Sequence, residues 1–331
     1  MDLYEETKAL WTSAKAAEWQ ARATELTDGI SALEAAAAKF REWAPLRFYV
    51  NVSKMQSAAR PRSRSVSFSL RFRGQDVADV IVSKPDRAVM LSVSADHEKH
   101  NLDYFDVGTP QGRCRWDSGK ARAFREVFRG VDPKRRGRSP EHGIESRIIE
   151  ELEATSRARK FGGTLGDVRH CGLGRHEFPL QYSVPISANT GRPLPTGGFI
   201  DILVRRGRGR GTHLSVWEVK KDRVTAHALQ QAYIYAVTLA LMLRGPGGQE
   251  WYELFGFHGK LPKKLEIEAV AVVSEDMAPK ICDVGKLWAD GPLWLPEEAT
   301  EISLHAAFYH AEPLRMRWEV MQHIGLRAAA D

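Results

Sequence analysis

The sequence predicts an α/β protein built on a mixed sheet, and three observations carry that expectation. Apolar residues recur at helical spacing in some segments and alternate with period two in others, and the second half orders them as helix, three strands, helix, strand. With 331 residues the chain has room for roughly two domains, each able to bury a core. Hydrophobic residues make up 43%, charged 27% and aromatic 9%, ordinary globular usage that excludes a mostly disordered or fibrous chain.

Taken in order, residues 2 to about 43 are rich in Ala, Glu, Lys and Leu, with a stripe formed by Leu26, Ile30, Leu33, Ala37 and Phe40, so they read as helix with a kink or break at Gly29. From Leu46 the period changes to two: Phe48, Val50 and Val52, then Val66, Phe68, Leu70 and Phe72, then Val77 to Val82 and Val89 to Val93. A small sheet over 46–107 is expected. Asp117 to Val131 reads as a helix with an Asp or Ser cap, and the basic, proline-containing run from Asp132 to Pro140 ends it. That run is taken as a linker, 132–140, between an N-terminal α+β domain, 1–131, and a second domain, 141–331.

The second domain opens on Ser139, Pro140 and Glu141, a cap followed by proline at the first helical position, leading into a helix over about 141–159. Strands follow at Leu180 to Ile186, Phe199 to Arg205 and Leu214 to Lys220. A helix is predicted from Ala226 to Leu243 and a strand from Lys264 to Ser274. The nearly apolar run Ala232 to Leu243 has 12 residues, short of the roughly 20 that cross a bilayer. The acidic start, Asp2, Glu5 and Glu6, lacks the basic residues of a secretory signal, and Cys114, Cys171 and Cys282 are odd in number and far apart. A cytoplasmic protein without membrane contact and with structural cysteines is expected.

The chemistry concentrates in two runs, Gly197-Gly198-Phe199-Ile200-Asp201 and Trp217-Glu218-Val219-Lys220, joined by the glycine-punctuated turn Arg205 to Thr212. A hairpin with its tip near Gly209 and Arg210 places Asp201 opposite Glu218, with Cβ atoms about 5 Å apart. Period two puts Lys220 on the face of Glu218 and turns Val219 away. Two neighbouring carboxylates on an apolar sheet repel and lose hydration unless compensated, and a hard cation such as Mg²⁺ compensates them while keeping positions free for phosphate oxygens. Lys220 is then placed to orient or deprotonate a water and to offset developing negative charge. The same D, E-x-K pattern also fits a structural ion pair at a sheet end.

These motifs, together with Gln231-Ala232-Tyr233-Ile234-Tyr235 on the next helix, resemble the PD-(D/E)XK nuclease superfamily, in its RecB-type branch with a Q-x-x-x-Y element. The resemblance spans roughly residues 141–275. It implies a restriction-endonuclease-like core, a mixed central sheet flanked by helices, and hydrolysis of phosphodiester bonds in DNA in preference to RNA with Mg²⁺ or Mn²⁺. By resemblance Asp201, Glu218 and the Val219 carbonyl ligate the metal, Lys220 positions the water, and Gln231 and Tyr235 steady the site or touch the strand. The first-helix acid maps to Glu145, with Glu141, Glu150 and Glu151 as competitors. The family's proline before the aspartate is absent, since Phe199 and Ile200 stand there, and His142, His170 and His176 compete for a family histidine. Repair and anti-phage defence are settings where this scaffold is used. The alternatives are a non-catalytic nucleic-acid-binding module and an RNA-directed nuclease or toxin.

The formal net charge of +6 favours a polyanionic partner. Arginines gather at Arg60 to Arg73, at Arg113 to Arg138 and in the turn Arg205 to Arg210, and each group serves either as solvated surface or as phosphate contacts. Phe68 and Phe72, interleaved with Arg71 and Arg73, read as a stacking surface for bases or as core. A zinc site on His170, Cys171 and His176 lacks a fourth ligand at regular spacing.

Overall fold

The computed structural model describes residues 2–37, 45–51, 65–83, 85–132, 134–135, 140–158, 164–172, 180–181, 183–220, 226–277, 290–311 and 314–320. It is α/β, with two mixed sheets and flanking helices. Helices α1 (Leu3–Leu10) and α2 (Ser13–Ala37) form the amino-terminal segment. The break falls at Trp11 and Thr12, where Thr12 Oγ1 accepts the Lys15 N–H at 3.3 Å, and not at Gly29, which is carried inside α2. A threonine whose side chain caps the first turn starts a helix more decisively than one interior glycine stops it.

The first sheet joins β1 (Arg47–Asn51), β2 (Ser65–Phe72), β3 (Gln75–Ser83), β4 (Val89–Val93) and β5 (Gly112–Arg115) in antiparallel order. Between β4 and β5 lies α3 (Ala95–Phe105), a mostly polar helix where the sequence leads to the expectation of sheet. Ser94 starts it by accepting the His97 N–H, while His97 Nδ1 accepts the Ser94 N–H in return. The expected helix after Asp117 is α4 (Gly119–Val127), capped by Ser118.

The second sheet runs β13 (Trp294–Leu295), β14 (Thr300–Ala311), β12 (Leu265–Ser274), β11 (His213–Lys220), β10 (Ile202–Arg206), β6 (Val168–His170), with β15 (Leu314–Val320) on the far end of β14. Its centre, β11–β12–β14, is parallel, and β10 and β6 are antiparallel additions. One face packs on α6 (Ala226–Arg244), the other on α5 (Pro140–Ala158). From Ala228 to Leu243 α6 is buried nearly all round, which explains its apolar run as a core helix. A short helix, α7 (Gly248–Leu254), follows it. None of the described helices is long and apolar enough to cross a membrane.

The two halves of the chain touch one another. A two-residue strand from the second half, β7 (Leu180–Gln181), pairs in parallel with β1 at the edge of the first sheet. Trp19 of α2 stacks on Trp251 of α7 with centroids 5.8 Å apart, and one continuous hydrophobic cluster spans both halves. The chain changes sheets near 132–140, and α1 and α2 find part of their cover on α6 and α7.

Candidate active site

The hairpin forms in the expected register. Ile202 pairs with Trp217 and Arg206 with His213, so the ladder folds about Gly209 and Arg210 and its next step sets Asp201 against Glu218. Gly207 makes the turn possible: its φ is +94°, and a Cβ there would lie 2.5 Å from the Gly211 carbonyl oxygen. Asp201 itself stands in a bend between the short β9 (Gly198–Phe199) and β10, freed from the ladder. Its Oδ2 accepts the Val219 N–H at 2.9 Å.

Lys220 Nζ lies 3.5 Å from Asp201 Oδ2 and 3.6 Å from Glu218 Oε2, so the three groups converge. They differ in exposure: the side chain of Asp201 is 23% exposed and that of Lys220 24%, against 3% for Glu218. Burial, and then the negative charge of Asp201, push the Glu218 carboxyl well above its ordinary range, and Lys220 offsets only part of this. Glu218 Oε1 is buried with no hydrogen-bond partner among the described residues. An orphaned carboxylate oxygen beside a second carboxylate is an unmet demand for positive charge. In an extended strand the N–H and C=O of a residue point to the same neighbour, so the Val219 carbonyl is turned to the Asp201 side with its N–H. These donors fit a hard divalent cation.

Glu145 on α5 lines the same cavity of about 370 Å³ as Asp201. Among the described residues the only His, Cys, Asp or Glu trio with ligand atoms within 4.8 Å of one another is Asp76, Asp79 and His97, so the Glu145 oxygens stand outside a direct ligand set with Asp201 and Glu218. That other trio does not present a free imidazole lone pair. His97 Nδ1 accepts the Ser94 N–H, which leaves the ring proton on Nε2, 3.6 Å from Asp76 Oδ2.

Gln231 and Tyr235 share a face of α6, and both are buried. The Tyr235 hydroxyl accepts the Ala188 N–H at 3.3 Å and reaches Asn189 Oδ1 at 3.4 Å. Burial, and then the Glu218 carboxyl, raise the phenol's affinity for its proton, so it stays neutral. It also sits under Gly198, where a Cβ would come within 2.9 Å of the hydroxyl oxygen and 2.7 Å of the Ser187 Cα. Tyr235 thus holds the ribbon of β8 (Ser183–Val184) and β9 from beneath. Tyr235→Phe is expected to cost about 1 kcal/mol of stability, read as a lower midpoint in a thermal melt.

The basic and aromatic residues divide between the two roles open to them. Phe68 and Phe72 are fully buried as core, and Arg71 is buried as well, donating to Ser69 Oγ and the Gly74 carbonyl, so these phenylalanines offer bases no stacking surface. In the turn, Arg205 donates to the carbonyls of His170 and Gly256, and Arg208 makes a two-pronged pair with Asp167 at 2.7 and 2.8 Å. Arg113, Arg115, Lys120, Arg122, Arg129, Lys134 and Arg135 are exposed, while Arg60, Arg62, Arg64, Arg136 and Arg138 lie outside the described residues, as do His176 and Cys282. Burial, followed by the charges of Arg47 and Arg205, lowers the His170 ring to about 3, so it is neutral at working pH. Burial raises the Cys171 thiol to about 12, as a structural cysteine requires.

The reading of the sequence missed the far wall of the site cavity. It is built by Tyr49, Gln75 and Asp76 of the first sheet and by His100 and Tyr104 of α3, whose rings stack at 5.2 Å. Also missed is a polar cluster on the opposite face of the second sheet. Glu268 Oε1 accepts from Arg206 Nη1 at 2.7 Å and lies 2.9 Å from His213 Nε2 and 3.5 Å from His305 Nε2. His213 Nδ1 faces the Gly211 carbonyl at 2.9 Å, and although burial pulls the ring's pKa down, Glu268 raises it above the ordinary imidazole value. Compared with known proteins, the chain matches no family model, no curated protein and no solved structure.

Proposed function

We propose that the protein is a metal-dependent nuclease that hydrolyses phosphodiester bonds, in DNA in preference to RNA, on a restriction-endonuclease-like core. The convergence of Asp201, Glu218 and Lys220, with Asp201 also lining a cavity and one buried Glu218 oxygen unsatisfied, supports this reading above any other observation. Asp201, Glu218 and the Val219 carbonyl would hold Mg²⁺ or Mn²⁺, with Glu145 acting from the cavity wall through an intervening water. When bound, such a cation supplies Lewis-acid stabilisation of phosphoryl oxygens and a more acidic water.

The chain's own residues do the rest. Lys220 orients the attacking water and places a positive charge where negative charge develops, in a site shielded on one side by α6. Tyr235 fixes the ribbon that leads into Asp201, and Gln231 lies buried on the same face of α6. Purified protein supplied with Mg²⁺ or Mn²⁺ is expected to degrade labelled DNA and to stop on chelation. Salt-sensitive binding to DNA without cleavage of DNA or RNA under either metal would replace this reading with that of a binding module.

A further inference from the structure

Resting on the nuclease reading, we propose that Phe199 is a stacking post that seats one unpaired base beside Asp201, so that the strand entering the site is single or locally unpaired DNA. Among the described residues few large apolar side chains are exposed, and Phe199, at 51%, is the one that borders the cavity holding Asp201 and Glu145. It also borders a second cavity of about 400 Å³, on whose walls lie Lys15, Trp19 and Arg22 of α2. The ring therefore stands between two recesses, two residues from a carboxylate of the site.

Its placement is rigid and built. Phe199 pairs across the ribbon with Ser183, and the neighbouring Gly198 lies so close to Ser187 and the Tyr235 hydroxyl that no side chain fits there. On the second cavity's wall Lys15 Nζ is anchored by the carbonyls of Pro185 and Pro195 at 2.9 and 2.7 Å, with the Glu18 carboxylate close enough to share its charge. The stacked pair of His100 and Tyr104 gives the first cavity a second aromatic wall.

The geometry selects unpaired nucleic acid for a simple reason. In a duplex every base has its faces covered by its neighbours, so a phenyl ring approaching from the side meets only base edges or backbone. A base outside the stack offers a free π-face, and aromatic side chains that accept one do so with little preference among the four bases. A recess of about 370 Å³ is also in the range that encloses one ligand-sized group, about 300–1,000 Å³, and not a double helix.

The test uses the full chain, a short oligodeoxynucleotide carrying the fluorescent base aminopurine, and the same sequence as a duplex. Wild-type protein is expected to bind the single strand, quench the aminopurine and cut it in preference to the duplex. Phe199→Ala should weaken single-strand binding roughly tenfold and lose the quench, and Phe199→Trp should keep both. A thermal melt confirms that the exposed substitution leaves the fold intact. If wild type cuts DNA and Phe199→Ala binds, quenches and cuts equally well, the stacking role is overturned while the nuclease reading stands. If wild type neither binds nor cuts either form, both are overturned.

Discussion

Replacing Glu218 with glutamine is expected to lower metal-dependent cleavage by about 10²–10⁴-fold while raising the stability of the metal-free protein, a pair of opposite effects that a purely structural carboxylate does not produce. The reason lies in its surroundings. Glu218 is buried against Asp201 with one oxygen unsatisfied, so ionising it costs free energy that glutamine does not incur. The folded carboxyl binds its proton more tightly than the unfolded one. The contribution of Glu218 to the stability of the metal-free protein is therefore fully present below the ordinary glutamate pKa and lost as pH rises through the raised value. The variant should show a flatter profile in that window.

Adding Mg²⁺ should reverse the order. Binding to the folded state alone stabilises by about 2.7 kcal/mol at a hundredfold excess over the dissociation constant, and only wild type should gain it. Proton release on metal binding should accompany the gain, since Glu218 must ionise to ligate. Thermal melts with and without Mg²⁺, at pH values on both sides of the window, check this. A Glu218→Gln protein that is less stable than wild type without metal, and equally active with it, would reduce the acidic pair to an ion pair at a sheet end.

Replacing Glu268 with alanine is expected to destabilise the fold by about 3–5 kcal/mol, because it leaves buried positive charge without the carboxylate that offsets it. Arg206, His213 and His305 come from three strands, β10, β11 and β14, and all meet Glu268 of β12. Burial by itself would raise the Glu268 pKa, but hydrogen bonding from His213 and the charges of His305 and Arg206 outweigh it and bring it down to about 2. The His213 ring is pushed down by burial and up, by a larger sum, by Glu268.

The signs set the pH window. A carboxyl held near 2 contributes stability that is present above the ordinary glutamate pKa and lost as pH falls toward 2. An imidazole with raised pKa contributes stability present below its ordinary value and lost as pH rises through the raised one. The Glu268 cluster is thus strongest in mildly acidic solution. Denaturant titrations of wild type and Glu268→Ala at acidic, mildly acidic and alkaline pH should show the difference between them greatest at the middle value. A uniform difference across the three would show that packing, and not charge, is what the substitution removes.

Much of the site was legible because it is local. The turn residues and the alternation on either side determine a hairpin folded at Gly209 and Arg210, and once the register is set, Asp201 must oppose Glu218 and Lys220 must share its face. The same logic locates α5 from its proline and α6 from its apolar run. Other features were hidden because strands and helices of opposite assignment share the same residue types. The helix α3 begins at a serine whose role depends on a histidine reaching back, and the places of β14 and β15 are set by distant pairing, β14 with β12 and β15 with β14.

Taken alone, then, the sequence determines periodicity, caps and hairpin register, since these depend on contacts between residues near one another in the chain. Which of two paired carboxylates is buried, which phenylalanine faces solvent and which faces core, and which distant helix walls the cavity were decided only by tertiary structure. Period two assigns residues to a face but does not say what covers it. Phe72 and Phe199 carry the same side chain on strand-forming residues, yet one lies under α3 and α4 and the other stands open beside Asp201, because the elements that bury a ring come from elsewhere in the chain.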